Sequence, residues 1–220
     1  MTAAGERLTA ALRTAGEDGL PALIPYVTAG FPRRDDTVEV LRAAQDAGCA
    51  AAEIGIPFSD PLADGPTIQR AGLQALRNGM TTHLAIEQVA AARGAGVTMP
   101  LVFMTYLNPV LSHGLDSFCG DAATAGVDGI IVPDLPADEA AEVRARTHAH
   151  GLALIPLVAP TTPDERIARA CRDATGFIYC VGVVGTTGAR SRIDDGAFDL
   201  LARVRATTEL PRAIGFGLSR

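Results

Sequence analysis

The chain contains no lysine; all 19 basic side chains are arginine, set against 25 carboxylates for a formal net charge of −6. Without a lysine amine no Schiff base can form with a carbonyl substrate, which argues against imine-forming aldolases. The acid excess gives no basic face for a nucleic acid and no electrostatic anchor for a membrane. Four cysteines (Cys49, Cys119, Cys171 and Cys180) make no CxxC pair, so neither a metal cluster nor a disulfide framework is expected. No apolar run reaches 18 residues, and Met1–Leu8 is polar with no apolar signal core. A reduced, cytoplasmic protein is expected, and 220 residues bury roughly 70% of the unfolded surface without cross-links.

What is present is an alternation. Short, nearly continuous apolar runs occur at Ala22–Thr28, Ala51–Ile56, Leu101–Tyr106, Gly129–Asp134, Leu152–Ala159, Phe177–Gly182 and Arg212–Gly217. Such runs read as strands buried on both faces, hence parallel. Between them lie amphipathic stretches that read as helices: Thr37–Ala47, Thr67–Arg77, His83–Arg93, Gly114–Ala125, Ala137–His150, Pro163–Cys171 and Ala197–Ala206. An opening helix near Gly5–Ala15 precedes the first strand, and the interval between the second and third strands holds one extra helix. The expected fold is α/β, a TIM (β/α)8 barrel forming one domain over residues 1–220. Seven strands are visible, and the eighth strand and last helices are missing from the sequence. An open barrel of this kind would leave its first and seventh strands as unpaired edges, so either a C-terminal truncation or an unusual natural chain is expected. A doubly wound sheet competes, but Thr28-Ala29-Gly30-Phe31-Pro32 is not the GxGxxG turn that fold usually carries after its first strand.

Active sites of parallel barrels sit at the carboxyl ends of the strands. There the second strand reads Glu53-Ile54-Gly55-Ile56-Pro57-Phe58-Ser59-Asp60-Pro61-Leu62-Ala63-Asp64-Gly65-Pro66. An acid in an apolar strand is costly unless paired, protonated or used. Glu53 is therefore either a structural acid held by a backbone or tyrosine donor, or a general acid/base with a raised pKa. Asp64, before Gly-Pro, is either a helix-end cap or a second working carboxylate. Asp60 is either a working carboxylate or part of an ordinary turn. None of His83, His113, His148 and His150 falls at a strand end, which points to surface placement rather than catalysis.

The stretch Glu53 to Gln69 resembles the signature of the tryptophan synthase α chain. Pro25–Gly30, Met104–Pro109, Val132–Pro136, Tyr179 with Gly185–Arg190, and Gly215–Ser219 are similar to that family in the same order. The resemblance runs from about residue 5 to the end of the chain. It implies a lyase that cleaves indole-3-glycerol phosphate to indole and glyceraldehyde 3-phosphate. It further implies that Glu53 transfers protons and that Asp64 binds the indole N–H. Tyr26, Met104, Ile131, Leu157, Tyr179 and Phe216 would wall the indole pocket, with ordinary barrel core as the alternative for each. Tyr106 and Tyr179 are expected to donate to Glu53. Thr187 would meet Asp64 when the second and sixth loops close. Gly188 and Gly217 would hold phosphate through backbone N–H groups. Arg190 and Arg192 are either phosphate contacts or solvated charges. Pro57, Asp60, Asn108 and Pro136 match positions facing a partner β chain, with turn geometry as the alternative; Asn108-Pro109 by itself reads as a turn. An α2β2 complex is implied, in which the partner holds pyridoxal phosphate and this chain holds no metal or organic cofactor. A catalytically weakened subunit that mainly activates the β chain is the alternative reading.

Overall fold

The computed structural model describes residues 2–16, 19, 21–182 and 195–215. In chain order these form α1 (Ala3–Ala15), β1 (Tyr26–Thr28), α2 (Thr37–Asp46), β2 (Ala52–Gly55), α3 (Pro66–Arg77), α4 (Thr82–Gly94), β3 (Leu101–Met104), α5 (Leu107–His113) and α6 (Leu115–Ala125). There follow β4 (Gly129–Ile131), α7 (Ala141–Ala149), β5 (Ala153–Ile155), β6 (Leu157–Val158), α8 (Asp164–Arg172), β7 (Ile178–Val181), α9 (Asp195–Arg205) and β8 (Arg212–Gly215). Every strand pair is parallel, with β1-β2-β3-β4-β5 in one sheet and β6-β7-β8 in another.

The expected fifth strand, Leu152–Ala159, is therefore two strands. Pro156 interrupts it because proline has no N–H to give to a ladder. Its carbonyl still accepts from Tyr179 N at 3.0 Å. One stretch of chain thus passes from the first sheet to the second, and the wall has seven strand positions among the described residues. The extra helix between the second and third strands is present, as α3 followed by α4.

Two further expectations are corrected. Asn108-Pro109 lies inside α5, a helix the sequence reading did not contain, and not in a turn. Pro109 is tolerated because first-turn N–H groups have no intrahelical acceptor to lose. The seventh helix starts at Ala141 rather than Ala137, after a turn closed by Glu139 N donating to the Pro136 carbonyl at 2.9 Å.

Strand side chains alternate between two apolar layers. Ile54, Leu101, Phe103 and Ile130 face the helices, where they meet Leu41, Val89 and Phe118. Val102, Met104, Ile131, Ile155 and Tyr179 fill the barrel interior. Burial on both faces is the physical reason the runs are continuous rather than alternating. Helix α1 closes the amino-terminal mouth, its Leu8 and Leu12 joining the interior layer beside Phe177. Thr2 caps α1 by accepting from Gly5 N at 3.0 Å, and Thr9 donates to the Gly176 carbonyl at 2.7 Å.

The same face carries an ion cluster around a buried aspartate. Asp128, just before β4, accepts from Arg7 Nη1, Arg93 Nη2 and Leu101 N at 2.9, 2.9 and 2.8 Å. Arg93 also donates to the carbonyls of Val97, Met99 and Gly126. Among the described residues no helix is long and apolar enough to cross a membrane.

Candidate active site

Glu53 is the second residue of β2, in direct register with Tyr26 on β1 and Val102 on β3. Direct partners in a parallel pair share a face, so Glu53 enters the same interior as Val102 and Met104. Only 4% of it is exposed. Burial disfavours the charged form and pushes its pKa up to about 8. At neutral pH the group thus holds a proton it can give away.

Tyrosine hydroxyls sit near both carboxylates. Tyr26 has Asp64 and Glu53 as charged neighbours, and burial is the main reason its own pKa rises. Its hydroxyl lies over Gly55: a Cβ built there would stand 1.9 Å from Tyr26 Oη. Tyr179, also raised mainly by burial, has Glu53 as a charged neighbour. It lies over Gly215 in the same way, again at 1.9 Å from a Cβ. One tyrosine stands on β1 and the other on β7, and in each case glycine leaves the space the ring occupies.

Tyr106 departs from expectation. Its hydroxyl accepts from Ala63 N at 2.9 Å and pairs with the Asp64 carboxylate, not with Glu53. The reason is position: Tyr106 lies beyond the end of β3, level with the loop after β2, while Glu53 lies deep in the strand. Burial raises the Asp64 pKa and the Tyr106 hydroxyl opposes that rise. Asp64 is half-buried and Glu53 fully buried, so the two carboxyls sit in different environments.

Met104, Ile131 and Tyr179 are buried in the interior, with Leu157 and Tyr26 partly covered. Pro57 is half-buried, while Asp60, Asn108 and Pro136 are exposed. All four follow the carboxyl ends of β2, β3 and β4, so they share the mouth of the barrel. Asp134, on the same rim, accepts from Leu107 N at 2.9 Å and anchors the start of α5. Sequence reasoning missed this contact because it missed the helix. Thr187, Gly188, Arg190, Arg192, Phe216 and Gly217 lie outside the described residues. Three histidines form helix-surface pairs: His83 with Glu87, His113 with Asp121 and His150 with Asp116. Among the described residues no group of His, Cys, Asp or Glu is gathered as for a metal ion.

A parallel barrel with a buried glutamate and a half-buried aspartate toward its carboxyl mouth has the layout of a TIM-barrel enzyme. The family model for the tryptophan synthase alpha chain matches residues 12–220. The tryptophan synthase alpha chain of Roseiflexus sp. (strain RS-1) is 52% identical over 208 residues, covering 94% of this chain and 78% of that protein. A chain of the tryptophan synthase α2β2 complex of Pyrococcus furiosus superposes with a TM-score of 0.84 at 43% identity, over 90% of this chain and 79% of that one. Mycobacterium tuberculosis tryptophan synthase gives a TM-score of 0.88 at 39% identity, over 96% and 80%. The chain belongs to the tryptophan synthase alpha chain family.

Proposed function

We propose that this chain cleaves indole-3-glycerol phosphate to indole and glyceraldehyde 3-phosphate, with Glu53 moving the protons and Asp64 holding the indole N–H. The observation that carries the reading is Glu53: a carboxyl buried in an apolar barrel, its pKa pushed up to about 8 by that burial, with a second carboxyl toward the mouth.

The reaction follows from those two environments. Protonated Glu53 donates to C3 of the indole, and positive charge develops toward the ring nitrogen. Ionised Asp64 accepts the N–H hydrogen bond and stabilises that charge. The Glu53 carboxylate then takes the proton from the side-chain hydroxyl next to C3. The C3–carbon bond breaks, its electrons return to the ring, and an aldehyde leaves. Glu53 ends protonated as it began, so no net proton is consumed. Tyr26, Met104, Ile131, Leu157 and Tyr179 supply an apolar wall for the ring.

We read Pro57, Asp60, Asn108 and Pro136 as the rim that meets a β chain in an α2β2 complex, with pyridoxal phosphate on the partner. We also read the chain as a single, cytoplasmic domain. The test is indole release from indole-3-glycerol phosphate, with and without a β chain. Glu53→Gln keeps the shape but cannot shuttle a proton. Release is expected to fall at least about a hundredfold, the scale of a lost general acid/base, with circular dichroism unchanged. Near-normal turnover would overturn the role of Glu53.

A further inference from the structure

Tyr106 is tied down from three directions. Its backbone leaves β3 through Thr105 N, which donates to the Ile131 carbonyl at 3.0 Å. The next residue, Leu107, donates to Asp134 at 2.9 Å at the start of α5. Its ring packs on Phe58, centroids 5.6 Å apart. Only 6% of Tyr106 is exposed. A side chain held this firmly suits transmitting a position to its neighbours.

The groups that meet its ring and hydroxyl belong to one segment, the loop 57–65. Phe58 takes the ring face, and Ala63 N donates to the hydroxyl oxygen at 2.9 Å. A phenol has one proton to give and two lone pairs. With Ala63 on the oxygen, the proton is free for the adjoining Asp64 carboxylate, the side-chain pair already described. The loop's other hydrogen bonds are local: Leu62 N to Asp60 O at 3.0 Å, Asp64 N to Pro61 O at 3.1 Å, and Gln69 Nε2 to Asp64 O at 2.9 Å. Such local bonds shape the turn but do not aim it at the barrel.

We propose that Tyr106 is the positioning residue for Asp64, fastening loop 57–65 to β3 and α5 so that the carboxylate points into the barrel mouth. This rests on the reading of Asp64 as the group that meets the indole N–H. The Asp134 contact at α5 then steadies the carboxylate two steps removed.

Tyr106→Phe separates the two roles, because it keeps the ring on Phe58 and removes only the hydroxyl. The kcat for indole release is expected to fall about tenfold or more, as for a lost hydrogen bond to a charged group, with KM nearly unchanged. The Tyr106 proton favours ionised Asp64, so its loss raises the Asp64 pKa, and the acid limb of the kcat profile moves toward neutral pH. In an Asp64→Asn background the same change is expected to cost nothing further, because both act through one group. Unchanged kcat and pH limb, a rise in KM alone, or full additivity with Asp64→Asn would each overturn the proposal. Amide exchange in the ligand-free chain reads the tether without turnover. Ala63 N–H is expected to exchange slowly in the wild type and faster in Tyr106→Phe; equal rates overturn the proposal. If the wild type released no indole, the lyase reading would fail while the exchange measurement still decided the tether.

Discussion

A glutamate buried to 4% exposure in an apolar interior costs stability, and the pH dependence of that cost is readable. The Glu53 pKa is about 8 in the folded chain against an ordinary 4.5. Between those values the folded state keeps a proton that the unfolded state has released. Stability therefore falls as pH rises through that window and levels off above it. Glu53→Gln does not titrate. Its melting temperature is expected to exceed the wild type's by a margin that widens from pH 5 to pH 8. For a chain of this size each kcal/mol moves the midpoint by roughly 2–4 °C, so the effect lies within reach of calorimetry. A margin that stayed constant with pH would mean Glu53 is ionised in the fold. Under the role proposed for Glu53, activity and stability pull in opposite directions at this residue, because proton transfer needs a titratable carboxyl where the apolar core favours a group that never ionises.

At the scale of elements, the barrel repeats one device. On β1 and β2, Tyr26 lies over Gly55, and on β7 and β8, Tyr179 lies over Gly215. In both pairs the glycine's register partner is two residues beyond the tyrosine: Thr28 pairs with Gly55, and Val181 with Gly215. The rings thus cross diagonally onto the neighbouring strand. Gly55→Ala would place a Cβ 1.9 Å from the Tyr26 hydroxyl oxygen and 2.4 Å from its ring carbon Cζ, which no rotation of a flexible tip relieves. A loss of roughly 1–3 kcal/mol in urea unfolding is expected, the scale of overpacking, together with weaker indole binding as Tyr26 is displaced. Wild-type stability and affinity in Gly55→Ala would refute this packing.

At the scale of the whole molecule, the two ends of the barrel have different tasks. The carboxyl end carries Glu53, Asp64 and the exposed rim of Asp60, Asn108 and Pro136. The amino end carries α1 and the Asp128 cluster, which ties Arg7 of α1, Arg93 of α4 and the start of β3 to one carboxylate that is 4% exposed. Asp128→Ala leaves the partly buried Arg93 without its counter-ion. A loss of about 3–5 kcal/mol is expected, the cost of breaking a buried pair from one side. Indole release per folded molecule is expected to stay at the wild-type level, because the cluster lies at the end away from the mouth. A variant that kept its stability, or lost turnover while folded, would refute this division.

The sequence by itself determined the parallel barrel. Apolar runs buried on both faces, separated by amphipathic helices, leave few other arrangements, and the extra helix between the second and third strands was legible as a second periodic stretch. It also determined that Glu53 is anomalous, because a lone acid in an apolar strand needs no coordinates to stand out. The tertiary structure alone decided the rest. Pro156 divides a run that composition reads as one strand, since only the ladder shows where a missing N–H matters. Asn108-Pro109 opens a helix because Asp134, far along the chain, meets its first amide. Tyr106 faces Asp64 rather than Glu53 because depth along a strand is set by register, which no local pattern encodes. Asp128 looked like any acid before a strand until the fold brought two arginines to it. In each case the deciding contact joins residues distant in sequence, and only the packed chain brings them within hydrogen-bond range.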